Sequence, residues 1–323
     1  MPPLSSSTWC RACDERVART HHHDPERRTP TTAADHDWLD LRAPFDDAAR
    51  EHSLALLDQA VEALAGTAEA EPLTVIDIGA GTGNSARWFD RALRPRLPGR
   101  ELRWILLDAD AASLRVASRS MPDATTATAP ITELPAIAAE HLPGTTAAHD
   151  SDGSAAEHAP GPPAPARLLI TCSAVLDVLA PADVEAVVDT LTRFSGLGLF
   201  LLSITEHWPL DPPDRRDALI EHAFSEHQAR EGRLGDAGGA VLAAAARRAG
   251  ARVTTGGSPW NLQGPRDREF LTRFLSERID AVIEEDPELR PIAAAWLADR
   301  LEQAGTDLRV AVEHLDVLVD ARG

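Results

Sequence analysis

The sequence predicts an α/β protein built on a largely parallel sheet, and three observations predict it. Short apolar runs alternate with helical patterns along most of the chain. The runs are continuous rather than alternating in polarity, as in strands buried on both faces. The first of them, LTVIDIG at 73–79, breaks into glycines and then turns helical, the usual strand-to-helix passage of such sheets.

Residues 1 to about 35 carry no period of either kind and are read as a disordered tail ahead of a single domain over 36–323. The spacing predicts an entry helix from Pro44, with Leu54, Leu57, Val61 and Leu64 on one face and Gly66 as its stop. LTVIDIG is a strand and NSARWFDRAL the helix after it. ELRWILLDADAASLRVAS repeats the pattern, with a strand ending at Asp108. TTATAPITELP holds a third strand; PARLLITCSAVLDVL and GLGLFLLSIT are two more, with the helix ADVEAVVDTLTRF between them. The segment 143–166 is rich in Pro, Ala and Gly and is expected to be a disordered surface insertion. Beyond Ile204 the chain turns to helices, RRDALIEHAFSEHQAR, GGAVLAAAARRAG, REFLTRFLSERIDAVIEE and RPIAAAWLADRLEQA. ARVTTGGSPW and LRVAVEHLDVLV are read as two further strands.

Composition excludes several functions. With 51 Asp and Glu against 32 basic residues the formal charge is -19, a field that repels a phosphate backbone, so no nucleic-acid partner is expected. There is no Lys, which removes Schiff-base chemistry, a pyridoxal anchor and a P-loop, and no Tyr, which removes the phenolic proton relay. The longest apolar stretches, such as 196–204, fall short of the roughly 20 residues of a membrane helix. No membrane partner is expected, and without a secretory or transit pattern at the start the cytoplasm is the expected compartment. Cys10 and Cys13 form a lone CxxC followed by His21 to His23, but no second CxxC appears; the tract is read as tail, and no metal is expected.

The glycines carry the functional signal. Asp77, Gly79, Gly81 and Gly83 form D-x-G-x-G-x-G at the end of a strand, where bare backbone can approach a ligand. The dinucleotide fingerprint is G-x-G-x-x-G, a different spacing. Asp108 ends the next strand 29 residues after Gly79, where a carboxylate can take both hydroxyls of a ribose. An acid as close to the turn as Asp77 suits a cationic ligand better than a pyrophosphate.

VIDIGAGTGNS and LLDADAASL resemble the first and second motifs of the class I S-adenosylmethionine-dependent methyltransferases. The resemblance implies a Rossmann-like, doubly wound, seven-stranded sheet with an antiparallel last strand, and extra helices between strands five and seven. It implies S-adenosylmethionine as cofactor. Gly79, Ala80 and Gly81 would line its methionine moiety beside Asp77 and Gly83, Asp108 would hold the ribose, and Ala109 and Asp110 would flank the adenine. Ser173, closing the fourth strand, and Arg42, on the entry helix, are further cofactor candidates, Arg42 for the ligand's carboxylate. WLDLRAPFDDAAR, SAVLDVL, AFSEHQAR and SPWNL also resemble a group of actinobacterial methyltransferase-domain proteins of unassigned substrate. The chain departs from the family at Pro130, where an acid often receives the adenine amine. It also has SAVLDVL in place of the Asn/Asp-Pro-Pro-aromatic motif of amino-group methyltransferases; Asp211-Pro212-Pro213 follows the fifth strand instead.

Methyl transfer needs alignment and exclusion of water, with a base only where the acceptor must lose a proton. His227, on the face of Ile220 and Phe224, is the first candidate, followed by Glu206 and His207 after the fifth strand; each has a plain core or surface reading beside it. Asp177 could face the acceptor or cap a turn, Trp208 and Trp260, with Trp38, could wall an aromatic acceptor, and Arg50 is read as a surface ion-pair partner. The expected function is methyl transfer to a small-molecule acceptor, with oxygen preferred over nitrogen or carbon because the amino-group motif is absent. A non-catalytic S-adenosylmethionine-binding protein and a nicotinamide-dependent oxidoreductase are the alternatives; a protein substrate and a homodimer both stay open.

Overall fold

Runs buried on both faces have to sit inside a sheet covered by helices on each side, and the chain folds that way. The computed structural model describes residues 36–65, 71–142 and 167–322. The expectations for the tail, with Cys10, Cys13 and His21 to His23, and for the 143–166 insertion lie outside the described residues.

Helix α1 (His36–Arg50) passes through a 3-10 turn into α2 (Leu54–Ala65). Then come β1 (Leu73–Ile78), α3 (Asn84–Leu93), β2 (Leu102–Asp108), α4 (Ala111–Ser120), β3 (Thr125–Thr128) and α5 (Leu134–His141). After them follow β4 (Leu168–Ser173), α6 (Pro181–Arg193), β5 (Leu197–Ile204), β6 (Leu210–Asp211), α7 (Asp217–Gln228), α8 (Gly238–Arg248) and β7 (Arg252–Gly257). The chain closes with β8 (Trp260–Gln263), α9 (Arg268–Glu285), α10 (Arg290–Gln303), β9 (Arg309–Val312) and β10 (His314–Asp320). Seven strands form one sheet in the order β3-β2-β1-β4-β5-β10-β7, and β10 runs antiparallel to both of its neighbours. The extra helices between the fifth and last strands are α7 to α10.

Period-2 geometry divides the apolar residues between two cores. In β1, Leu73 and Val75 face one of them while Ile76 and Ile78 face the other; in β4, Leu169 opposes Leu168, Ile170 and Cys172 in the same way. That double burial is why the runs are continuous in sequence. No helix among the described residues is long and apolar enough to cross a membrane.

Three expectations change. The entry helix begins at His36, not at Pro44, and Pro44 lies inside it. Proline removes a single N–H from the ladder, while Trp38 stacks on Phe270 at 5.1 Å and Phe45 meets the same ring at 4.2 Å. Packing therefore holds the extra turns. ARVTTGGSPW is two strands: β7 ends before Ser258, Pro259 offers no N–H, and β8 joins β6 and β9 in a second, three-stranded antiparallel sheet. LRVAVEHLDVLV likewise divides at Glu313, whose N–H turns to the His207 carbonyl at 3.0 Å.

Buried ionic groups fix the outer helices. Arg300 on α10, 1% exposed, donates to both carboxylate oxygens of Asp217 at 2.6 and 2.7 Å, and Trp296 Nε1 donates to the same carboxylate at 2.7 Å. This clamps the N-terminus of α7. On β10, Asp316 accepts from Ser53 Oγ, from Ser258 Oγ at 2.7 Å and from the Leu202 N–H at 2.8 Å. Leu202 stands at φ +56° where the β5/β10 register shifts, so a bulge bends the end of β5. Bulges of this kind re-aim side chains next to sites.

Candidate functional site

The site is built where β1, β4 and β5 end. Gly79, Gly81 and Gly83 all take positive φ, at 63°, 51° and 80°, a turn that L residues with a Cβ adopt only at a cost. Their surroundings differ. A Cβ on Gly79 would strike the Val175 side chain at 2.7 Å, one on Gly83 would press Ala117 at 3.0 Å, and one on Gly81 would meet nothing within 4 Å. Gly81 is thus the glycine whose missing side chain leaves open space.

Two carboxylates hold this turn from different sides. Asp108, ending β2, accepts the Gly81 N–H at 2.7 Å on one oxygen and the Asp110 N–H at 2.8 Å on the other. Each oxygen keeps a lone pair for a further donor. Asp77 lies beneath, fully buried, and one oxygen accepts from Thr171 Oγ1 at 2.6 Å and Ser85 Oγ at 3.2 Å, tying β1 to β4 and α3. Its other oxygen has no partner among the described residues. Burial raises its pKa to about 7, against the pull of the two hydroxyls and of Arg50. Ala80 is buried and gives its N–H to the Leu107 carbonyl at 3.1 Å; Ala109 is exposed beside the turn. The Asp110 side chain is committed to capping α4, accepting from the Ala112 and Ser113 N–H groups and from Ser113 Oγ.

Arg50 is not the surface residue expected from sequence. It is 2% exposed and reaches the end of β4, donating from Nε and Nη2 to Ser173 Oγ at 3.2 and 3.0 Å and from Nη1 to Asp47 at 2.8 Å. Desolvation lowers its pKa, opposed by Asp46 and Asp47. Helix α1 can bury this cation because Ser173 and Asp47 receive its hydrogens, with Asp46 at 3.8 Å as a second opposite charge.

A cavity of about 300 Å³ opens beside the turn. Its sheet wall is Ala174, which leaves β4 at φ +56°, with Asp177 and the re-aimed Leu202 and Ile204. The helical wall is Phe224, His227 and Gln228 from α7, with Glu277, Arg278 and Ala281 from α9. Trp38, Arg42, Val178, Arg233, Trp260 and His314 complete it. Val175, the neighbour of Ala174, is the residue packed on Gly79, so the cavity and the glycine turn adjoin.

The structure brings Arg42, Asp177, His227 and Trp260 together here. Arg42 is bidentate with Asp46 at 2.9 and 3.1 Å and lies 5.1 Å over the Trp260 ring. Asp177 opens to the cavity rather than to bulk solvent, and desolvation raises its pKa. His227 Nε2 stands 3.5 Å from Glu284. The other predicted residues are elsewhere. Glu206 and His207, the second-ranked bases, are exposed and face each other at 3.5 Å; His207 lines a separate open depression with Glu221 and Glu313. The chain leaves β5 toward β6 at this point, which carries both side chains outward. Trp208 is 1% exposed and packs edge-on against Phe224, Phe274 and Trp296 at 6.0–6.2 Å, so it supports the wall from behind instead of lining it.

Among the titratable groups of this cavity that sequence reading missed, two are buried. His314, 5% exposed, has its Nδ1 2.7 Å from the Ser258 carbonyl, and burial lowers its pKa to about 4, so it is neutral at pH 7. Arg278, 7% exposed, has its guanidinium carbon 3.5 Å from the Phe274 centroid and 4.6 Å from that of Phe224. Burial lowers its pKa to about 9. A signal for Arg278 existed: it sits four residues after Phe274 and four before Val282, in the apolar stripe of its helix. Among the described residues no cluster of three His, Cys, Asp or Glu is arranged to hold a metal ion.

No protein-family model matches this chain, and neither does any curated protein. Solved structures with a similar chain path include a proposed type II methyltransferase from Anaeromyxobacter dehalogenans, at 15% identity and TM-score 0.45 over 82% of this chain and 94% of that one. The plantazolicin methyltransferase BpumL in complex with SAH is similar at 13% identity and TM-score 0.38, over 90% and 92%. A cyclopropane synthase from Mycobacterium tuberculosis is similar at 13% identity and TM-score 0.35, over 81% and 83%. Likeness at this distance does not transfer chemistry, which has to be read from the residues above.

Proposed function

We propose that this protein transfers a methyl group from S-adenosylmethionine to a small molecule held in the cavity. The observation that carries the reading is the glycine turn closing β1, hydrogen-bonded through the Gly81 N–H to the carboxylate that closes β2. It stands in a sheet whose reversed strand lies between β5 and β7, the arrangement the sequence resemblance implies.

The residues fit that cofactor. Space is open above Gly81, Asp108 keeps a lone pair on each oxygen for ribose hydroxyls, and Arg50 with Ser173 offers a cationic, hydrogen-bonded edge to a carboxylate. When bound, S-adenosylmethionine supplies a methyl on a sulfonium whose sulfur leaves with the bonding pair. The chain itself has three tasks. Backbone at Gly79 to Gly81 and the Asp108 carboxylate hold the ligand; the walls of the cavity fix the acceptor and exclude water. A hydroxyl acceptor must also lose its proton, and His227 and Asp177, from opposite walls, are the titratable groups that receive it and pass it to solvent. Oxygen is the preferred acceptor atom because the amino-group motif is absent after β4.

Calorimetric titration of the whole protein with S-adenosylmethionine and, separately, with NADH tests this. Binding of the sulfonium ligand, weakened at least tenfold in Asp108→Ala, is the expected result, followed by screening of acceptors by mass spectrometry for one added methyl. A preference for NADH, or S-adenosylmethionine binding indifferent to Asp108, would overturn it.

A further inference from the structure

The cavity contains a charge that nothing among the described residues neutralises by contact. Arg278 is nine-tenths buried, its Nε has no hydrogen-bond partner, and no hydrogen bond or ion pair engages the rest of its guanidinium among the described residues. The other charges nearby are committed. Glu277 pairs with Arg273 at 2.8 Å, Arg42 with Asp46, and Arg233 gives its Nε to the Arg230 carbonyl and lies 3.8 Å from Glu231. Asp177 acts on Arg278 only through space.

A guanidinium taken out of water without a carboxylate is costly, and replacing such a group by an apolar one of similar size is often stabilising. Its retention in an apolar stripe therefore calls for a counter-ion that arrives with the ligand. Its guanidinium carbon stands over the rings of Phe274 and Phe224, and the residue lines the cavity. The cavity reverses the character of the chain: three arginines against two carboxylates line it, in a protein of net charge -19.

We infer that the acceptor molecule carries a carboxylate that pairs with Arg278, with its apolar body against Trp38, Phe224 and Trp260. This deepens the methyl-transfer reading and rests on it for the word acceptor. At about 300 Å³ the cavity suits a molecule the size of a substituted benzoate. The carboxylate is the anchor, delivered from the helical wall; the atom to be methylated is presented to the sheet wall at Ala174 and Asp177. Arg278 is in this account a substrate-binding residue.

The test uses benzoate as probe and benzamide as its neutral counterpart, titrated calorimetrically into the whole protein with and without saturating S-adenosylhomocysteine. The same titrations are run on Arg278→Met and Arg278→Lys. Expected are benzoate binding that persists with S-adenosylhomocysteine present, benzamide binding at least tenfold weaker, loss of benzoate in Arg278→Met with unchanged S-adenosylhomocysteine affinity, and partial retention in Arg278→Lys. Arg278→Met should also melt at a higher temperature than the wild type without ligand, which an arginine kept for structure would not do. Equal binding of benzoate and benzamide, no benzoate binding at all, or an undiminished preference in Arg278→Met would overturn the inference. So would displacement of benzoate by S-adenosylhomocysteine, because Arg278 would then serve the cofactor's carboxylate. Failure of S-adenosylhomocysteine to bind while benzoate still depends on Arg278 would instead sink the methyl-transfer reading and leave the anion site standing.

Discussion

Replacing Asp77 by Asn should abolish a specific pH dependence of folding. In the folded protein the Asp77 carboxyl is fully buried and titrates near 7; its ordinary value is 3.8. Between those values the unfolded chain has lost this proton and the folded chain keeps it. The stabilising contribution is therefore complete below about pH 3.8 and disappears as pH rises through 7. A shift of about three pKa units corresponds to about 4 kcal/mol at 1.36 kcal/mol per unit. Asn carries no charge at any pH, and the change in its hydrogen bonds to Thr171 and Ser85 adds an offset independent of pH. The assay is urea unfolding of both proteins from pH 4 to 8, read as the difference between them. His314, whose pKa falls to about 4, acts with the opposite sign, losing stability as pH falls from 6.5. It is common to both proteins and cancels in the difference. The wild type should lose about 4 kcal/mol relative to Asp77→Asn across the range. A difference that stays constant within about 1 kcal/mol would show that burial does not govern this carboxyl.

Other changes separate space from strain. Gly83→Ala should cost about 2–3 kcal/mol in chemical unfolding, combining the left-handed backbone with the 3.0 Å approach to Ala117. Gly81→Ala, with nothing within 4 Å, should cost about 1–2 kcal/mol yet weaken S-adenosylmethionine at least tenfold in calorimetry; equal binding would mean the open space is not the ligand's. Asp217→Ala removes the partner of a buried arginine and should destabilise by about 3–5 kcal/mol in the same unfolding assay. In turnover assays His227→Gln should lower the rate by about two orders of magnitude or more. His207→Gln, exposed and away from the cavity, should leave the rate unchanged; the reverse ranking would move the proton acceptor to the other side of β5.

Much of the fold was legible because strand burial on both faces writes itself as continuous apolar runs, and the reversal from strand to helix at Gly79 to Gly83 needs glycine wherever it occurs. The glycine turn and Asp108 were found from spacing alone. Boundaries that depended on one imino acid were not: Pro44 is tolerated inside α1 because Trp38 and Phe45 pack on Phe270, a contact more than two hundred residues away in sequence. Pro259, by contrast, follows the end of a ladder, where an imino acid has no N–H to donate.

What the sequence determined by itself was thus local: the alternation of elements, the glycine turn after β1, the acid at the end of β2, the exclusion of lysine and tyrosine chemistry. Only the tertiary structure decided which charged and aromatic side chains meet. Arg50 looks like an ordinary helix-surface arginine unless its neighbours are known, and the apolar stripe that carries Arg278 does not say which rings it meets; Trp208 and His207 look like site residues for the same reason. Burial and pairing are properties of contacts between distant segments, and in this cavity those contacts come from α1, β4, β5, α7, α9 and the strands that follow. Local spacing cannot specify a meeting of that many elements, whereas the packing of two hydrophobic cores around one sheet does.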